Sequence, residues 1–132
     1  MAKEISKWLK LWFLINSIIG LIFTIIYLII LETYWAMVDW PYFDPIFGRI
    51  LGITLLTLTI MSVMAYRETD WENVKIFVEF SIIWLISLAI VNIWSVFVTP
   101  FSPTALASVA FDTTLLIVLA IGNIYFFIQH QK

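Results

Sequence analysis

Four long apolar runs constrain the fold of this chain more than any other feature. They cover roughly residues 9–31, 50–66, 76–98 and 104–128, and short polar segments separate them. An apolar helix of about 20 residues matches a hydrocarbon core of about 30 Å, at about 1.5 Å of rise per residue. The runs leave no sequence for a soluble domain. The chain is therefore predicted to be an all-α, polytopic integral membrane four-helix bundle.

The composition agrees with a membrane protein. Hydrophobic residues make up 63% and charged residues 12%, against about 45–50% and about 25% in soluble domains. The net charge of −2 and the lack of a basic cluster argue against a nucleic-acid partner. The chain has no cysteine, which excludes disulfides and thiol chemistry. The predicted partners are the lipid bilayer and either other membrane subunits or copies of the chain itself, and no cofactor is predicted.

Capping signals predict where two of the helices begin. Asp44 stands before Pro45, and Ser102 stands before Pro103, so each pair offers a capping side chain and a proline at the first helical position. In the connection between the first two helices, residues 32–44, the pairs Trp40-Pro41 and Asp44-Pro45 suggest turns. A single transmembrane domain, residues 1–132, is predicted, with helices at about 8–31, 45–66, 70–98 and 103–129.

The basic residues predict the orientation. If the four helices alternate in direction, six of the seven basic residues share the side of the two termini, and only Arg49 lies on the other. By the positive-inside rule, the protein is expected to be a multi-pass protein of the cell membrane with its N- and C-termini in the cytoplasm. The six residues are Lys3, Lys7, Lys10, Arg67, Lys75 and Lys132.

Small and polar residues form one stripe along each helix. In lipid such residues mark helix interfaces, because the hydrophobic effect does not drive helices together there. Two interpretations stay open: packing with hydrogen bonds between helices, or a polar translocation path or ligand cavity. Stripes that converge in a tightly packed bundle would favour the first. The stripe residues are Asn16, Gly20, Thr24, Gly48, Gly52, Thr59, Ser62, Asn92 and Asn123.

Two charges within the apolar helices stand out. Arg49 precedes Arg67 by 18 residues, and Asp112 precedes His130 by 18, so both lie about 27 Å from the cytoplasmic helix ends. We predict an ion pair between Arg49 and Asp112, with Asp44 as the competing partner of the arginine. Two alternatives for Asp112 remain: a cap of a shorter fourth helix, or a proton-coupled or ligand-binding carboxylate.

Residues that carry catalysis are scarce. His130 is the only histidine, and neither a cysteine nucleophile nor a Gly-rich phosphate loop is present. An enzyme is therefore not predicted. The remaining enzymatic alternative is a carboxylate-only site on the outer side, formed by Glu32, Asp39, Asp44 and Asp112.

One part of the chain resembles a known group of proteins. The resemblance covers about residues 40–75 and is to uncharacterised small four-helix membrane proteins of prokaryotes, with the DoxX-like group as the broader comparison. It implies a four-helix membrane fold and carries no activity. The residues concerned are Trp40-Pro41-Tyr42-Phe43-Asp44-Pro45, then Arg49, Gly52 and Asp70-Trp71.

Two functions are therefore expected from the sequence. The first is a small non-catalytic integral membrane protein, an accessory or structural subunit or a homo-oligomeric bundle. The alternative is a small oligomeric transporter or channel that uses Asp112 and Arg49 in a polar path. Because four helices rarely enclose a water-filled route alone, the alternative needs at least two copies of the chain.

Overall fold

The chain is helical along nearly its whole described length. The computed structural model describes residues 3–132. In that range four helices are long and apolar enough to cross a membrane, by length and composition. One further helix, the second in chain order, is short. The helices are α1 (Lys7–Leu28), α2 (Leu31–Val38), α3 (Pro45–Arg67), α4 (Trp71–Val98) and α5 (Pro103–Gln131).

The predicted starts of two helices are confirmed. The Asp44 carboxylate accepts hydrogen bonds from the backbone N–H groups of Ile46 and Phe47, both at 3.0 Å. The Ser102 hydroxyl accepts one from the N–H of Ala105 at 3.2 Å. In both helices a proline is the first residue. Each cap satisfies N–H groups that have no partner within the helix, and this fixes the starts of α3 and α5.

The predicted end of the first helix is wrong. The expected helix over 8–31 stops at Leu28, and a separate helix, α2, which the sequence did not predict, begins at Leu31. Leu31 explains the break, because its side chain is completely buried. The side chain of Leu31 packs against Gly48 on α3. A Cβ added to this glycine would lie 2.7 Å from Cδ2 of Leu31. The docking of Leu31 therefore turns the chain back toward α3.

The long helices form two pairs. α1 packs along α3 and α4 packs along α5, whereas contacts between the two pairs are few. Glycines bring the backbones of the first pair close together. A Cβ added to Gly52 would lie 2.7 Å from Cδ2 of Leu28, and one added to Gly20 would overlap the hydroxyl of Thr59. These stripe residues thus form the seam between α1 and α3.

One end of the bundle is tied together by the segment before α1. The N–H of Ile5 donates to the carbonyl of Thr69 at 2.9 Å, and the N–H of Ser6 donates to Nε2 of His130 at 3.3 Å. The N-terminal segment, the α3–α4 turn and the end of α5 therefore meet at what we call the clasp end. Beneath them lies a buried apolar core of Ile5, Leu9, Phe13, Ala65, Trp71, Val74 and Val78.

Candidate functional site: a central cavity

A cavity of about 480 Å³ lies between the two helix pairs. It extends from Phe13 and Asn123, near the clasp end, to Trp35 and Asp44, beside α2 at the opposite end. All four long helices contribute to its lining. Its volume falls in the range of about 300–1,000 Å³ that is typical of small-molecule sites.

The predicted polar stripes converge on this cavity. Asn16, Gly20, Thr59, Ser62, Asn92 and Asn123 line it. The other predicted stripe residues pack within the first helix pair instead. The hydroxyl of Thr24 is buried and donates to the carbonyl of Gly20 at 2.7 Å, while Gly48 and Gly52 allow the close approach of neighbouring side chains. The stripes therefore meet inside one bundle. Within the first helix pair they pack against each other, and between the two pairs they enclose a space.

Hydrogen bonds hold several of these polar side chains in place near the clasp end. The Ser62 hydroxyl donates to the carbonyl of Phe13 at 2.8 Å and so links α3 to α1. The indole N–H of Trp12 donates to Oδ1 of Asn123 at 2.7 Å and so links α1 to α5. The amide of Asn16 donates to the carbonyl of Trp12 at 2.7 Å. At this end of the cavity, hydrogen bonds of Ser62 and Trp12 thus connect α1 to both α3 and α5.

Asp112 lies in the cavity wall on an unbroken helix. α5 is continuous through this position, so the alternative in which Asp112 caps a shorter helix is wrong. The residue lines the cavity. Its Oδ1 atom is buried, and no donor from residues 3–132 makes a hydrogen bond to it. A buried carboxylate oxygen without a partner is costly in an apolar environment, which distinguishes it from the other polar groups of the site.

The predicted ion pair between Arg49 and Asp112 is wrong. The guanidinium of Arg49 instead donates to Oε1 of Glu32 at 2.6 Å, with the two side chains 51% and 55% exposed. Asp44 is not the partner of the arginine either, because it caps α3. The physical reason is α2, which brings Glu32 to the start of α3. An exposed pair also avoids the desolvation cost that a pair inside the bundle would carry.

The four outer carboxylates proposed for an enzymatic site do not meet. Asp44 and Asp112 line the cavity, Glu32 is paired with Arg49, and Asp39 ends α2 in the left-handed conformation with φ of 54°. Within residues 3–132, no three histidine, aspartate or glutamate side chains are grouped so that they could hold a metal ion.

Aromatic side chains form the end of the cavity beside α2. The ring centroid of Trp35 lies 5.6 Å from that of Trp40 and 6.1 Å from that of Tyr27, and all three residues line the cavity. Trp84 lines it from α4. The polar stripes predicted from the sequence include none of the three tryptophans. For Trp84 a signal was present, since it lies within one turn of the polar Ser81, on the same face of α4, and Ser81 also lines the cavity.

The chain matches no protein-family model, no characterised protein and no solved structure. The resemblance to DoxX-like proteins therefore stays a prediction. A function must be inferred from the cavity and from the helices that surround it.

Proposed function

We propose that this chain is a multi-pass protein of the cell membrane, with both termini in the cytoplasm, that works as a small oligomeric transporter or channel. Its central cavity would hold a small molecule on the path. The observation that carries this proposal is the convergence of polar residues from all four long helices on a space of about 480 Å³. Asp112 adds a carboxylate oxygen to that space with no hydrogen-bond donor from residues 3–132.

The outer surface of the helices supports the membrane part of the proposal. Large apolar side chains point away from the bundle along every long helix, and Ile76 and Phe97 on α4 are 76% and 79% exposed. In water, such a continuous apolar surface would promote aggregation. In a bilayer the lipid chains solvate it, and the polar residues are kept for the interior.

The position of Asp112 supports a role in binding or transport. An ionisable residue inside a membrane-spanning helix costs about 2.5–3.5 kcal/mol at the bilayer centre and less near the interface. Ion pairing with Arg49 would have offset that cost, but Arg49 is bound to Glu32. An ionisable side chain retained in a membrane-spanning helix without a structural partner is by default a candidate functional group.

The oligomeric part of the proposal follows from the closed end of the cavity. The apolar core at the clasp end, which includes Leu9 and Trp71, lies between the cavity and that end of the bundle. A route through one copy would have to open this core. A route completed at the interface between two copies of the chain would leave this core closed. We therefore favour an oligomer.

Single cysteines test whether the cavity contains water. The chain has no native cysteine, so each variant carries one reactive thiol. In proteoliposomes, Asn92→Cys faces the cavity, which the exposed lining residues Tyr42 and Asp44 open to water at the end beside α2. This thiol is expected to react with a charged, membrane-impermeant reagent, because the reactive thiolate forms only where water is present. Ile93→Cys, on the exposed apolar side of the same helix, is the matched control and is expected to stay unreactive.

Either of two results would contradict the proposal. If neither thiol reacts, the cavity is not open to water and offers no path. If both react equally, α4 does not lie in the bilayer.

The sequence also predicted a structural subunit, and a second measurement distinguishes that function from a transporter or channel. The mass of the gently purified particle in nanodiscs, with every co-purifying protein identified, separates the two. A stoichiometric foreign partner would make the chain an accessory subunit, whereas a clean homo-oligomer is what a transporter or channel requires. The tightly packed bundle that would favour a subunit is not the arrangement observed between the helix pairs.

A further inference from the structure

We propose that the cavity binds a hydrophobic organic cation, which it takes up from the surrounding lipid. This inference rests on the proposed function, because it assigns a ligand class to the same cavity. Three features of the lining support it: the sign of its charge, its aromatic side chains and the place where it reaches the surface.

The charged residues of the lining are all acidic. Asp112 lies in the wall and Asp44 at the end beside α2, and no lysine, arginine or histidine is among the residues of 3–132 that line the cavity. The nearby Arg49 does not line the cavity, and its guanidinium forms an ion pair with Glu32. The field inside the cavity therefore attracts a positive charge and repels a negative one. The unpartnered Oδ1 of Asp112 is the atom toward which that charge would lie.

The aromatic lining suits the same ligand. A cation over the face of a tryptophan or tyrosine ring is attracted by the negative face of the ring, and the attraction grows when water is excluded. Tyr27, Trp35, Trp40 and Trp84 all line the cavity. The rest of the lining is largely leucine, valine and phenylalanine, which would solvate the apolar part of the ligand.

The cavity reaches the surface between α3 and α4. Phe47 on α3 and Val91 on α4 line it, yet they are 63% and 56% exposed. The two helices contact each other little. Both side chains lie on the apolar outer surface of the bundle, so the opening faces lipid. A ligand that partitions into the bilayer would enter there without crossing the water layer.

A pair of ions with the same shape and opposite charge tests the ligand class. Tetraphenylphosphonium and tetraphenylborate differ in charge while both partition into lipid. The protein in nanodiscs of zwitterionic lipid is titrated with each ion by calorimetry, and the signal of empty nanodiscs is subtracted. We expect saturable binding of the cation that is at least about tenfold tighter than that of the anion, given the strength of a partly buried charge pair.

Two variants locate the charge that selects the ion. Asp112→Asn keeps the shape of the side chain, removes its charge and is expected to weaken cation binding about tenfold. Asp39→Asn removes the same charge from a residue that does not line the cavity, and asparagine also tolerates the left-handed backbone found there. This control is expected to bind the cation as the unaltered chain does.

Equal or tighter binding of the borate would overturn the cation assignment and leave the cavity as a binding site. Absence of saturable binding for both ions, with Asn92→Cys reactive toward the aqueous reagent, would overturn the ligand class alone. Absence of both binding and thiol reactivity would overturn the proposed function as well. The comparison of the two ions in the unaltered chain needs no variant, so it decides the question even if Asp112→Asn fails to fold.

Discussion

At the scale of single residues, Ser62 joins two helices through one hydrogen bond. Its hydroxyl donates to the carbonyl of Phe13 at 2.8 Å, and that carbonyl also accepts from the hydroxyl of Ser17. Because the acceptor keeps a partner, Ser62→Ala is expected to lower the free energy of unfolding by only about 0.6 kcal/mol, the average for such bonds in membrane proteins. Denaturant titration in mixed micelles measures this change.

Thr57→Ala is the matched control for Ser62. The Thr57 hydroxyl is bound to the carbonyl of Ile53 in its own helix at 3.0 Å, and the residue is exposed. Its removal is expected to change the free energy of unfolding by less than about 0.5 kcal/mol. A loss at Ser62 no greater than that at Thr57 would mean that the bond between α1 and α3 contributes nothing to stability.

At the scale of elements, the seam between α1 and α3 depends on glycine. A Cβ at Gly52 would lie 2.7 Å from Cδ2 of Leu28 and 3.1 Å from Cβ of Tyr27. Gly52→Ala is therefore expected to destabilise the protein by about 1–3 kcal/mol through overpacking. The better helix propensity of alanine, about 1 kcal/mol, offsets part of this loss. The midpoint of thermal unfolding in detergent, followed by tryptophan fluorescence, is expected to fall.

Ser87→Ala serves as the control for Gly52→Ala, because Ser87 is exposed on α4 and away from this seam. Its midpoint is expected to stay near that of the unaltered chain. A rise in the midpoint of Gly52→Ala would show that the side chains at the seam move aside at no cost. The glycine would then have no packing role.

The elements also show which parts of the fold the sequence could predict. Asp44 and Ser102 cap their helices through local contacts, so the starts of α3 and α5 follow from the residues beside them. α2 has only eight residues, too few for a clear helical period. It exists because Leu31 docks against α3, and that contact joins residues distant in sequence. The wrong partner was predicted for Arg49 for the same reason: its actual partner, Glu32, lies on α2, and the sequence did not predict α2.

Part of the candidate site, its polar residues, could also be predicted from the sequence. Polar residues are conspicuous in an apolar helix, so Asn16, Asn92 and Asp112 could be selected from spacing alone. Whether the facing stripes pack against one another depends on their side-chain volumes and on the angle and distance between the two helix pairs. The sequence does not reveal this angle or distance. The cavity, and the aromatic residues that α2 brings to it, therefore required the structure.

At the scale of the whole molecule, the clasp end and the α2 end differ in charge. Residues 3–6, the turn from α3 to α4 and the end of α5 meet at the clasp end. The six basic residues expected on the cytoplasmic side belong to these segments or to the adjoining turns of helix. The opposite end has Arg49, and Glu32 neutralises it. The positive-inside rule therefore favours a cytoplasmic clasp end.

Single cysteines at the two ends test this orientation in intact cells. Glu72 is exposed at the start of α4, at the clasp end, and Met37 is exposed on α2. Met37→Cys is expected to react with a membrane-impermeant thiol reagent applied outside, and Glu72→Cys only after the cells are permeabilised. The opposite pattern would reverse the orientation and place the end of the cavity beside α2 in the cytoplasm. Reaction of both from outside would contradict the crossing of the membrane by α3, because one crossing separates the two positions.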